Sequence, residues 1–425
     1  MEKRTDHAKP FDMHIPPKKQ NPFLMPLIWL GSYALTRKNH LRIAKNLRGI
    51  RPPFLVIATH QGFSDYYIAP LALFPYRANY VSDVEGYAAF GEWLYRSIGC
   101  IGKRRFVPDV NVLLNMKKCI RMKQTVVVYP ESRHCNAGTT SYLPDHLGKL
   151  AKYLNVPVVI LSAHGSYLES PLWDEEYSRK APITARLECL YTKDELTNAG
   201  EEEIQKKIVD ALQYDEYAWQ QENAIHLERN RANGLHKVLY QCPHCKNKNA
   251  LNHDAPGNMM MTSDEKSVRC EACHATWNLT PLGELEYSGS ENFSADNKEL
   301  RSIPLWYEWE RSCAIDEWNS SNQEIVYSVH IEALPNSKGF IDCGRGTLVF
   351  NQDAFILTFA DQRLVFPHRI RESVQTEYNY KGKGMCIVLS TQDNCYYIYS
   401  EDRHFNPTWI QFVGEYLYQH SKKEI

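Results

Sequence analysis

The sequence lacks an apolar run long enough to cross a bilayer. The best stretch, Phe23 to Leu35, is interrupted by Pro26, Gly31 and Ser32, whereas a spanning helix needs about 20 residues. It also lacks net charge: 49 Lys and Arg stand against 50 Asp and Glu, leaving −1. That balance excludes wholesale coating of nucleic acid and argues against a nucleic-acid partner. Cysteine is too sparse for a disulfide scaffold, with twelve in 425 residues, only four of them in Cys-x-x-Cys pairs. The first 20 residues are polar and carry charges of both signs, so no secretory signal is read there and a reducing, intracellular compartment is expected. No internal repeat is present. Disorder is excluded too, because 43% hydrophobic and 23% charged residues are ordinary globular values.

What is present is uneven. Residues 1–51 hold eleven Lys/Arg and three Asp/Glu, and residues 101–125 hold seven Lys/Arg and one Asp. Such basic stretches suit anionic lipid or a phosphorylated substrate as well as plain solvent. The Phe23–Leu35 run followed by Arg37, Lys38, Arg42, Lys45 and Arg48 predicts a helix lying in the membrane interface, with a helix packed on the core as the alternative. The length allows two to four domains. We divide the chain into a basic, amphipathic membrane-interface segment (1–51), an α/β domain (52–235), a cysteine-bearing segment with a linker (236–300) and a β-rich segment (301–425).

In the second of these, apolar runs alternate with helical periodicity. Phe54–Ala58, Asn79–Val81, Thr125–Tyr129, Val156–Ser162 and Ala185–Tyr191 predict strands. Helices are predicted from about Asp65, over 108–123, over 144–154, and across the charged stretch 200–235 up to Gly234. This is the signature of an α/β sandwich with a largely parallel or mixed sheet. From about residue 324 short β-rich runs follow one another, seven in all, closed by a helical segment Trp409–His420. A short helix around Trp306 and Trp309 precedes them. That order predicts a small barrel, with a pleckstrin-homology-like or GRAM-like domain as a fold-level analogy.

Ligands gather at the carboxyl ends of strands in an open α/β sheet. The loops at those ends here carry Thr59 to Asp65, Gly99 to Arg105, Pro130 to Arg133 and Ala163 to Gly165. His60 and Asp65 suit general-base chemistry. A neutral imidazole takes a proton near pH 7, and a carboxylate on its other nitrogen fixes the tautomer. The two do not share a face of one straight helix, but they meet if His60 lies in a loop before the helix that carries Asp65. His134 and His164 lie near the site without a carboxylate at a telling spacing. Cys100, Cys119, Cys135 and Cys189 read as small buried hydrophobes rather than nucleophiles.

Cys242-x-x-Cys245 and Cys270-x-x-Cys273 form the second constellation. Two such knuckles suit a tetrahedral Zn–S4 site, and four protein ligands leave no open position, so this Zn2+ is expected to be structural. The segment resembles a zinc ribbon, in which His244 and His274 are not ligands.

The ordered series His-x4-Asp (His60–Asp65), glycine then a basic cluster (Gly99–Arg105), aromatic-Pro-Glu-x-Arg (Tyr129–Arg133) and Val-Pro-Val (Val156–Val159) resembles the glycerolipid acyltransferase family, which includes the 1-acyl-glycerol-3-phosphate acyltransferases. The resemblance spans about residues 20 to 215. It implies that His60 is the general base and Asp65 its partner. Lys103, Arg104 and Arg105 would bind the acceptor's phosphate, with either Arg104 or Arg105 as the key cation. Glu131 would shape the acceptor site and Arg133 would add a second cation near it. An acyl thioester, on coenzyme A or acyl carrier protein, would be the donor. The acceptor would be a phosphorylated lysolipid such as 1-acyl-glycerol-3-phosphate, and the product of phosphatidate type. Glycerol-3-phosphate or another lysolipid is the alternative acceptor, and a non-catalytic membrane- or partner-binding module is the alternative class. The place of work would be the cytoplasmic face of a membrane, with anionic lipid as partner. A lipid-sensing or autoinhibitory role is the expectation for 301–425.

Overall fold

The computed structural model describes residues 11–12, 15–174, 178–228, 231–247, 261–288, 300–321, 323–336, 339–400, 402 and 404–423. The first 10 residues, the centre of the cysteine segment and most of the linker 286–300 lie outside that set.

The α/β region holds seven strands: β1 (Arg42–Asn46), β2 (Leu55–Ala58), β3 (Ala78–Asp83), β4 (Cys100–Lys103), β5 (Thr125–Val128), β6 (Val158–His164) and β7 (Thr184–Tyr191). They form one sheet in the order β1-β7-β6-β2-β5-β3-β4. Every pairing is parallel except β6 with β7. The mixed, largely parallel sheet is therefore as the alternation of strand and helix predicts. Its central strands β2, β5 and β6 carry continuous apolar runs because both faces are covered. Leu55, Ile57, Val126, Val128, Val158 and Ile160 pack to one side under the helices Val110–Arg121, Leu147–Leu154 and Glu201–Ala211. Phe54, Val56, Ala58, Val127, Val159 and Leu161 pack to the other, against Ile68, Ala69 and Ala72 of the Asp65–Leu73 helix. Each such fully buried aliphatic side chain contributes about 1.5–3 kcal/mol.

Two strands escape the sequence pattern. β1 is a polar, mostly exposed edge strand, and β4 is four residues with a glycine in it. The charged stretch 200–235 is not one helix but two, Glu201–Ala211 and Glu216–Glu222, and Gly234 lies in a later turn. The Phe23–Leu35 run forms a helix, Met25–Thr36. It rests on the Asp65–Leu73 helix, with the Trp29 ring edge-on to Phe74 at 4.8 Å. Its other side exposes Leu27, Leu30, Tyr33 and Leu35, with Phe23 just before it. No helix among the described residues is long and apolar enough to cross a membrane.

The cysteine segment is a four-stranded antiparallel sheet of β8 (Met261–Ser263), β9 (Ser267–Cys270), β10 (Thr276–Leu279) and β11 (Leu285–Tyr287). The helix Ile303–Ser320 follows, and then seven antiparallel strands: β12 (Glu324–Pro335), β13 (Ile341–Asn351), β14 (Ala354–Phe359), β15 (Gln362–Pro367), β16 (Gln375–Glu377), β17 (Cys386–Ser390) and β18 (Asn394–Ser400). Their order is β15-β14-β13-β12-β18-β17-β16. The strand count and the closing helix, Pro407–Lys423, match expectation, but the edge strands β15 and β16 do not pair with each other among the described residues. The sheet buries its inner face instead under that helix: Trp409, Ile410, Phe412 and Val413 join Phe350, Phe355, Ile387 and Leu389 in one hydrophobic cluster.

Candidate active site and metal centre

The carboxyl ends of the parallel strands β2, β3, β4 and β5 open toward one edge of the sheet. β2 runs out into Thr59–Gly62. Thr59 extends the ladder by donating its N–H to Leu161 O at 3.1 Å, and its Oγ1 accepts from Ala163 N. The chain then turns so tightly that a Cβ on Gly62 would lie 2.8 Å from Ser166 O, which only glycine avoids. The turn points Asp65, at the start of its helix, back at the loop. Asp65 Oδ2 accepts from Gln61 N (2.6 Å) and Gly62 N (3.0 Å), and lies 3.3 Å from His60 Nδ1. His60 and Asp65 are thus brought together as the spacing predicts. The loop is closed by the aspartate itself, since Ser64 makes no side-chain cap.

His60 is 6% exposed. Tyr129 and His134 enclose it at ring-centroid distances of 4.7 and 4.4 Å. Burial, reinforced by the positive charge of Arg105, pulls its pKa down to about 3, so the ring is neutral near pH 7. An Nδ1–H donated to Asp65 places the free lone pair on Nε2. Burial pushes Asp65 up to about 6, against the backbone hydrogen bonds it accepts.

A cavity of about 430 Å³, counted with its open mouth, lies beside this ring. It is lined by His60, Tyr66, Asp83, Lys103, Arg105, Tyr129 and Ser132, with Val81 and Ser82. Lys103 and Arg105 are therefore brought to His60. Lys103 makes no hydrogen bond or close ion pair among the described residues. Arg105 is ion-paired with Asp83 and lies 4.0 Å from Glu377 of β16. Arg104 and Arg105 differ in placement, and of the two only Arg105 lines the cavity. Arg104 turns away from the cavity and reaches into the C-terminal sheet, donating to the carbonyls of Leu334, Gln392 and Asp393, to Asn336 Oδ1 and to Cys395 Sγ. Arg133 does not reach the cavity either. It pairs at 3.0 Å with Glu415 of the C-terminal helix, which Arg311 also holds.

Glu131 lies behind the histidine rather than in the cavity. Its Oε1 accepts His60 N at 2.8 Å, and its Oε2 accepts Ser141 N at 2.8 Å and Tyr214 Oη at 2.9 Å. Burial pushes its pKa up to about 7. The side chain of Gln61 is pinned on the same side by Ala163 O and Glu216 Oε1. Glu216 also supplies the carboxylate that sequence spacing does not show for His164, at 2.8 Å. The Val156–Val159 block contributes core rather than chemistry, with Val158 and Val159 fully buried in β6. Asp83, Tyr66 and Ser132 escape the sequence reading. Asp83 had a signal, since it ends a parallel strand on the same edge as His60.

These blocks fall inside one matched segment: residues 38–168 match the family model named Acyltransferase. Over these residues the chain is similar to that family, and the matched segment is an acyltransferase domain. Among solved structures, the 1-acyl-sn-glycerophosphate (LPA) acyltransferase PlsC from Thermotoga maritima is similar at 18% identity, over 45% of this chain and 77% of that one, with a TM-score of 0.36. No curated protein matches.

Outside the acyltransferase domain, Cys242, Cys245, Cys270 and Cys273 bring their sulfurs within 4.8 Å of one another. The pairs Cys242–Cys273 and Cys245–Cys270 stand at 3.7 and 3.6 Å. A Zn–S bond of about 2.3 Å in a tetrahedron requires S···S edges of about 3.75 Å, so the four thiols fit a metal and are too far apart for disulfides. The knuckles are tied to the C-terminal region: Trp277 meets Trp306 at 4.8 Å, Trp306 Nε1 donates to Gln241 O, and Gln241 N donates to Glu310.

Proposed function

We propose that the protein transfers a fatty acyl group from a thioester, on coenzyme A or acyl carrier protein, to the free hydroxyl of a lysophospholipid, the class to which 1-acyl-glycerol-3-phosphate belongs. The observation that carries this is a neutral, Asp65-oriented His60 opening on a cavity that also holds Lys103 and Arg105. His60 Nε2 takes the acceptor's hydroxyl proton as its oxygen attacks the thioester carbonyl. Asp65 stabilises the imidazolium so formed. Collapse of the tetrahedral intermediate breaks the C–S bond, and the departing thiolate takes the proton back from His60. Glu131 holds the backbone of His60 in register, and Lys103 and Arg105 face the acceptor's phosphate. No covalent acyl-enzyme is required.

The protein meets its lipid at a membrane surface, on the cytoplasmic face. Support comes from the exposed Phe23, Leu27, Leu30 and Tyr33 beside the exposed Phe63 and Phe74 that flank the catalytic helix, with the basic N-terminal stretch favouring anionic lipid. The four cysteines hold one structural Zn2+, which takes no part in the reaction.

The test is thiol release from an acyl-CoA in the presence of lysophospholipid. His60→Ala is expected to lose about 10³- to 10⁴-fold in rate while keeping its fold. Full activity in that variant would sink the reading, and wild-type protein that sediments with liposomes but turns over no donor would favour the non-catalytic alternative.

A further inference from the structure

The acceptor cavity does not carry the charge that two cations alone would give it. Arg105 is shared among three carboxylates. Asp83 is ion-paired with it, Glu377 lies 4.0 Å away, and Glu85, one residue beyond the helix start that follows Asp83, faces the same group. These carboxylates are themselves held: Tyr397 donates to Glu85, and Gln375 donates to Glu377. Burial pushes Glu377 up to about 7 and raises Glu85 as well. Three carboxylates thus crowd Arg105, and Lys103 in turn faces Glu372, Asp83 and Asp109. Set against these acids, Lys103 and Arg105 leave the cavity with no excess of positive charge.

That balance bears on the acceptor. A phosphomonoester brings up to two charges, and its second finds no uncompensated cation and meets Asp83 instead. A phosphodiester brings one, which Lys103 matches alone. An ammonium on the same head group then finds Asp83 at the cavity wall and the faces of Tyr66 and Tyr129 nearby. Resting on the acyl-transfer reading above, we propose that the acceptor is a zwitterionic lysophospholipid, a phosphodiester bearing an ammonium group. Asp83 and, from the C-terminal sheet, Glu377 are the residues that set this choice. The C-terminal domain thereby becomes part of the acceptor site.

The experiment measures thiol release by the full chain with four lysophospholipids of one acyl chain: the phosphomonoester, the glycerol diester, and the ethanolamine and choline diesters. An ammonium-bearing diester is expected to exceed the monoester in kcat/KM by about tenfold or more, with the glycerol diester between them. Glu377→Gln and Asp83→Asn are each expected to move the ratio toward the monoester by about fivefold. Should Glu377→Gln loosen the C-terminal sheet, the wild-type order and Asp83→Asn still decide. A wild-type preference for the monoester, or unchanged ratios in both variants, overturns the proposal. Turnover of all four with the monoester ahead overturns this assignment alone, whereas turnover of none overturns the acyl-transfer reading with it.

Discussion

The His60–Asp65 loop and the Lys103–Arg105 turn face each other across one cavity, yet they are held by different means. Asp65 holds the first through Gln61 N and Gly62 N, four and three residues away, and Glu131 of the same domain holds it from behind. The second is held from a distance. Arg104 is gripped by groups at 334–336 and 392–395, and Arg105 shares its charge with Glu377. The His60–Asp65 loop is therefore held within its own domain, while the basic turn is held by the C-terminal sheet through Arg104 and balanced by both Asp83 and Glu377.

Stripping the metal is the strongest way to test that division. Structural zinc contributes about 10–16 kcal/mol to isolated zinc-finger peptides. Here the Trp277–Trp306 contact retains part of the packing. We expect one zinc per chain, released by a thiol-blocking reagent, and a melting temperature lower by more than about 10 °C after chelation or in Cys270→Ser, an effect of order 5 kcal/mol. A metal-free chain that melts like the loaded one would remove the centre from the account.

Arg104→Ala probes the division more finely. It strips the C-terminal sheet of a buried guanidinium with five contacts, and we expect a loss of about 3–5 kcal/mol by denaturant titration. The KM for the acceptor should rise as Arg105 loses its frame, while kcat at saturation stays within about threefold of wild type. An equal fall in kcat and kcat/KM, with KM unchanged, would mean that the loop of His60 also depends on the C-terminal sheet.

The same contrast explains what was legible in the sequence. His60 and Asp65 can be paired on paper because their contact is local. The four cysteines can be grouped because metal ligation imposes a spacing, and β2, β5 and β6 can be found because burial on both faces demands continuous apolar runs. Glu131 is visible as a motif residue, but its bond to His60 N spans 71 positions and leaves no periodic trace. Arg104 and Arg133 look like solvent- or phosphate-facing cations until their partners, 230 to 291 and 282 residues away, are known. β1 is hidden because an exposed edge strand has no need of an apolar face. The linear, open order of the C-terminal sheet is likewise set by long-range pairing and not by the alternation that reveals its strands.

A last and smaller effect separates the two motifs by pH. His60 is neutral above about 3, so it does not set an acid limb between pH 5 and 8. The groups beside His60 that titrate there are Asp65, pushed up to about 6, and Glu131, pushed up to about 7, while Glu377, beside Arg105, is pushed up to about 7 as well. A raised carboxylate pKa means that the folded protein takes up the proton as pH falls through 7 and 6. Protonated Asp65 no longer stabilises the imidazolium, and protonated Glu131 holds His60 N less firmly. The rate should therefore fall on acidification, approaching about tenfold per unit below pH 6. Asp65 and Glu131 do not drive unfolding, because they bind protons more tightly in the fold than in the open chain and so favour the fold as pH drops, whereas buried His60, His134 and His368 work the other way below about 6.5, so a melting curve at each pH separates the two effects. Since Asp65 and Glu131 both belong to the acyltransferase domain, Arg104→Ala should keep their limb in kcat, and Glu131→Gln should remove its upper step and leave the one near 6. A profile that is flat from pH 5 to 8, or one that moves in Arg104→Ala, would show that the charge around the base is set from the C-terminal side as well.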